Sequence, residues 1–113
     1  MFVSIQEVPK IVREFLEEII FPRATTPLMQ FRIGFAIPYV DGAVQMRLAE
    51  AQPQLLMLGV VDANGKVNLD KAKESALRAL EKVGGKLPIA DYIADRDDLE
   101  DLFKIAQRHV TNE

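Results

Sequence analysis

Three groups of residues could do chemistry in this 113-residue chain. The first is His109, the only histidine. It falls near the end of the last helical pattern, where the helix dipole favours a positive imidazolium. With no second histidine and no serine evidently partnered to it, it reads as a helix-end charge rather than a general base. The second is an acidic run in which Asp91, Asp95, Asp97, Asp98, Glu100 and Asp101 crowd into eleven residues. Asp95, Asp98 and Asp101 recur about once per helical turn, a spacing that could converge on a cation. The same residues suit a helix start, whose free N–H groups and dipole favour carboxylates, and this is the preferred reading. The third is a set of anion holders and hydrogen-bond donors. Arg32 or Arg47 could grip an anion and Tyr39 or Tyr92 could donate to it, in a pocket among the N-terminal helices.

Other chemistries are excluded. Without cysteine there is no disulfide, thiolate zinc site or cysteine nucleophile. No GxGxxG, P-loop, HExxH or GxSxG run occurs. Nothing calls for a cofactor or a bound metal, and the balance leans away from an enzyme.

The stretch Leu58–Asp70 organises the middle of the chain. Asn64-Gly65 predicts a two-residue type I′ turn, because both central positions of that turn need positive φ. Val60-Val61 and Lys66-Val67-Asn68 supply short strands, so a hairpin spans residues 60–68. Gly59 suits a helix C′ position, Asn68 an N-cap, and Asp70 a first helical turn. The loop resembles a calcium-binding EF-hand in outline. If Gly65 is the sixth loop position, then Asp62, Asn64 and Val67 fall at the third, fifth and eighth. The first position is then Val60 and the twelfth Lys71, so an apolar residue and a cation replace two ligands. Starting instead at Asp62 misplaces the glycine and makes the twelfth position Lys73. The likeness covers Ala43 to Val83 and implies a helix–hairpin–helix without its ligands, so no functional residue carries over.

The remaining elements follow from punctuation and periodicity. Ser4-Ile5-Gln6-Glu7 is a capping box with Val3 and Val8 as its staple, and Pro9 allows the helix to begin there instead. Val8, Ile11, Val12, Phe15, Leu16, Ile19 and Ile20 then recur at helical spacing. Thr26-Pro27 opens residues 28–37, which fit either a helix or a strand; their length and the Thr-Pro start favour helix. A third helix starts at Asp41-Gly42, is broken or kinked at Pro53, and continues from Gln54 to Gly59. A fourth, marked by Leu69, Ala72, Ala76, Leu77, Leu80 and Val83, stops at Gly84-Gly85. Residues 89–93 are extended and are expected beside Val67 as a third short strand. Asp95 caps the last helix. The fold class is mostly α with minor β: one domain, residues 1–113, a compact bundle of about four to five helices. Five of the six phenylalanines precede Pro38, so the N-terminal half is expected to supply most of the core.

Composition bounds function more than it names it. The chain is 49% apolar and 27% charged, ordinary for a soluble domain. Its net charge of -3 argues against life on nucleic-acid phosphates. Lys66, Lys71, Lys73, Arg78, Lys82 and Lys86 make one segment basic, to face either the acidic run or an anionic partner. Asp70, Glu74 and Glu81 dilute the second option. No stretch is long and apolar enough to span a bilayer and no secretory leader is evident, so a cytoplasmic location is expected.

The leading reading is a small non-catalytic module that binds another protein or itself. Phe31, Phe35, Leu55 and Met57 are its candidate surface, since large exposed apolar patches mark partners. Kept beside it are a small-molecule binder or enzyme using Arg32, Tyr39, Arg47 and Tyr92, and a degenerate EF-hand-like cation-responsive module.

Overall fold

Helices dominate the computed structural model, which describes residues 1–89 and 92–110, with backbone alone for 87–89 and 92–93. The chain runs through strand β1 (Phe2–Ser4), helix α1 (Val8–Phe15), helix α2 (Pro27–Ala36), helix α3 (Val40–Met57) and strand β2 (Lys66–Asn68). Helix α4 (Leu69–Lys82), strands β3 (Leu87–Ile89) and β4 (Tyr92–Ala94), and helix α5 (Arg96–Ala106) complete it. The fold is mostly α with minor β. Residues 28–37 are helical, and their N-cap Thr26 accepts from the Met29 N–H at 3.1 Å.

The small sheet differs from expectation in one strand. β2 pairs antiparallel with β1, in the register Phe2 to Asn68, Val3 to Val67 and Ser4 to Lys66. On its other side Val67 bridges Val61, and the Asn68 N–H donates to the Val60 carbonyl at 2.8 Å. The strand that joins Val67 is therefore β1; β3 and β4, near which the third strand was expected, form their own antiparallel pair. Burial is the physical reason. Val3 is fully enclosed and Val60, Val61 and Val67 nearly so, and the N-terminal strand brings the valine that completes this cluster.

The turn also shifts by one residue. The Gly65 N–H donates to the Asp62 carbonyl at 3.1 Å, closing a turn over Ala63-Asn64, with Gly65 following at φ +75°. This three-residue connection is a common alternative to type I′, and here Asp62 selects it. One Asp62 carboxylate oxygen, Oδ1, accepts from the Asn64 and Lys66 N–H groups at 2.8 and 2.9 Å.

Ser4 caps a 3-10 turn rather than a capping box, its oxygen accepting from the Gln6 N–H at 3.3 Å. Helix α1 begins behind it, with Pro9 where a missing N–H costs little. After Phe15 the helix widens into a π turn, Leu16–Ile20. A π turn closes i to i+5, so it places Ile20 in line with Phe15. Ile20 is fully buried as a result.

The core is aliphatic: Val3, Ile11, Ile20, Ile33, Val60, Val61, Val67, Leu69 and Ile105 pack around Phe15. Both halves of the chain contribute to it, and of the five phenylalanines that pointed to a mainly N-terminal core only Phe15 belongs to it. Phe2, Phe21, Phe31 and Phe35 all lie on the surface. Ion pairs join the elements around this core. The guanidinium of Arg23 binds the carboxylate of Asp98, which is only 2% exposed, and reaches Asp101 at 3.2 Å. Lys73 binds Glu100 at 2.6 Å, so one basic residue of α4 does face the acidic run on α5.

Candidate interaction surface

Helices α2 and α3 form one continuous rod. Ile37–Tyr39 between them is a single 3-10 turn, and the backbone at Ala36, Ile37, Tyr39 and Val40 stays in the right-handed helical region. At about 1.5 Å per residue, Pro27 to Met57 spans roughly 45 Å. That matches the 43 Å longest dimension of the molecule.

The rod has two apolar faces. Met29, Ile33, Ile37, Val40, Val44, Leu48, Ala51 and Leu55 recur every three or four residues and are buried or half-buried. Leu28, Phe31, Phe35, Tyr39, Met46 and Met57 recur in the same rhythm on the opposite side, and all are exposed. Phe31 and Phe35 stack with ring centroids 6.0 Å apart, and Tyr39 tilts against Phe35 at 5.7 Å. Such ring pairs contribute about 1 kcal/mol each. Phe31 is nonetheless 68% exposed and Phe35 62%. Each leaves on the order of 130 Å² in water, a loss of about 3 kcal/mol relative to burial. Stacking within the chain does not offset that, and a helix apolar all round is ordinarily a buried one.

The residues expected from sequence distribute unevenly. Phe31, Phe35 and Met57 (87% exposed) line the outer face. Leu55 does not: it packs against the core, and its carbonyl accepts from the Val60 and Val61 N–H groups at 2.9 and 3.3 Å. Tyr39 belongs to the aromatic ladder. Arg32 flanks it on an exposed position of α2, while Arg47, also exposed, lies 3.7 Å from Glu50. None of these three lines either of the cavities described below. The side chain of Tyr92 lies outside the described residues, as does Asp91. Leu28 and Met46 escaped the sequence reading, although their spacing from Phe31 and Tyr39 carried the signal.

Two cavities offer alternatives. One of about 340 Å³ lies between α4 and α5, walled by Ala76, Ala79, Leu80, Val83, Leu99 and Leu102. Its polar groups, Asp95 and Asp98, are spent on capping α5 and on Arg23. The other, about 390 Å³, is polar and contains Arg13 and Asp41, which neutralise each other at 2.6 Å.

Titratable groups elsewhere serve to join elements. Asp95 and Asp98 form a reciprocal capping box. The hydrogen bond from Lys73 holds the Glu100 carboxyl below its ordinary range. The hydrogen bond to Glu18 raises Arg108 further above its already high value. His109 Nε2 lies 3.1 Å from Glu14 and its Nδ1 3.8 Å from Glu7, tying the end of the chain to α1. Among the described residues no group of three or more acidic or histidine side chains is arranged to hold a metal ion. Nor is any described helix long and apolar enough to cross a membrane.

Compared with protein-family models, with curated proteins and with solved structures, the chain matches none.

Proposed function

We infer that this protein works by association rather than catalysis, and that it is a self-association module whose contact element is the outer face of the α2–α3 rod. The observation that carries this reading is the exposed ladder Phe31, Phe35 and Tyr39, continued by Leu28, Met46 and Met57 on a helix whose other face is already in the core. Contiguous apolar surface of this extent, rich in aromatics and methionine, is characteristic of interface cores. The charged groups that catalysis could recruit are instead committed to caps and ion pairs: Asp95, Asp98, Glu100 and His109 each have a structural partner.

Static light scattering over a concentration series tests the reading. The chain mass is 12.7 kDa. The wild type is expected to exceed it at micromolar concentration. The double variant F31S/F35S is expected to return to the single-chain mass with its circular dichroism unchanged, since neither ring supports the core. A wild type that stays at single-chain mass up to millimolar concentration overturns the reading.

A further inference from the structure

We propose that the occupant of the outer face is a second copy of this chain, laid antiparallel about a two-fold axis near Gly42. The proposal rests on the self-association reading and adds partner geometry to it.

The face is bulky along its first half and small through Gly42 to Pro53, with Leu56 and Met57 closing the far end. From Leu28 to Tyr39 it carries one leucine and three aromatic rings; from Gly42 to Pro53 it carries Gly42, Ala43, Ala49 and Pro53 around Met46. A parallel pair would stack bulk on bulk and leave a gap beyond it. An antiparallel pair centred on Gly42 sets Phe35 over Ala49, Phe31 over Pro53 and Leu28 over Leu56. The mismatch along the rod then becomes complementarity across it, and a two-fold contact of this kind closes on itself without exposing a further site.

Area and charge agree. Leu28, Phe31, Phe35, Tyr39, Met46, Leu56 and Met57 average about two-thirds exposure. At roughly 200 Å² per side chain they offer about 900 Å² per copy, against about 800 Å² per partner in a standard interface. Arg32 and Glu50 flank the same side of the face. The antiparallel register brings Arg32 of one copy to within about a helical turn of Glu50 on the other, twice over. A parallel register leaves them roughly 27 Å apart.

Gly42 provides the sharpest test. A Cβ built there meets nothing within 4 Å in its own chain, so the side chain of Gly42→Leu starts in open space. At the two-fold it would force the rods apart. Sedimentation equilibrium should therefore show the dimer constant weakened at least tenfold while helicity is unchanged or increased. The chain has no cysteine, so single spin labels are clean. In the antiparallel dimer, labels on R32C should lie about 30 Å apart or more, and labels on R47C about 20 Å apart.

A dimer with equal, short distances at both positions, or one indifferent to Gly42→Leu, overturns the antiparallel pairing and leaves self-association standing. A single-chain mass overturns both. So does a single-chain mass that shifts only onto vesicles of phosphatidylcholine and phosphatidylglycerol, which would mark the face as a lipid contact.

Discussion

Removing Arg23 should destabilise this protein more than removing its buried partner Asp98. The Asp98 carboxylate is 2% exposed, accepts from the Asp95 N–H at 3.0 Å, and faces the Arg23 guanidinium. In Arg23→Ala the carboxylate stays buried and loses the Arg23 guanidinium. Stranding a fully buried charge costs about 3–5 kcal/mol. Arg23 is itself 43% exposed on its side chain, so its loss also admits water, and about 2 kcal/mol is expected. In Asp98→Ala the burial penalty disappears with the charge. What is lost is half of the capping box and a half-solvated ion pair, while Arg23 keeps Asp101 at 3.2 Å; about 1 kcal/mol is expected. The double variant should cost little more than Asp98→Ala, which gives a coupling of about 1–2 kcal/mol. Urea titrations at neutral pH measure all three, and a difference of 1 kcal/mol corresponds to about 4 °C in Tm at this size. Asp98→Ala costing more than Arg23→Ala, or strict additivity of the two, would refute the assignment of the penalty to the buried carboxylate.

Two further outcomes follow from local geometry. Gly65→Ala should cost about 1–2 kcal/mol, because φ is +75° and an added Cβ would sit 3.4 Å from Ile5 Cγ2; thermal melts check this, and an unchanged Tm would refute it. Lys73 lowers the folded-state pKa of Glu100 from its ordinary 4.5, so their pair contributes stability above that pH and loses it as pH falls through the depressed value. Lys73→Met should flatten this part of the acid unfolding curve, and an identical curve would remove the pair from the stability account.

Some of the architecture was legible because it is decided within a few residues. Thr26-Pro27, Asn68 and Asp95 cap their helices through side-chain oxygens that bond N–H groups two or three residues on. Local chemistry is enough to fix such contacts. The acidic run resolves in the same way into a capping box and cross-helix pairs. The strand beside Val67 was not legible. Residues 2–4 and 89–93 are both short and largely apolar in sequence, and which of them pairs with Val67 is settled by contacts distant in the chain.

The candidate surface shows the same division. The sequence alone determined a density of apolar residues from Leu28 to Met57 greater than one helix face can hold, while residues 28–37 still fitted either a helix or a strand. Which side turns inward was decided by tertiary packing. Ile33 and Leu55 belong to the cluster that holds Phe15 and the valines, and a helix can present only one face to a single core. The opposite set, Phe31, Phe35 and Met57, was left in water by that choice. Periodicity fixes the angles between side chains, but the direction of the core is a property of the whole chain.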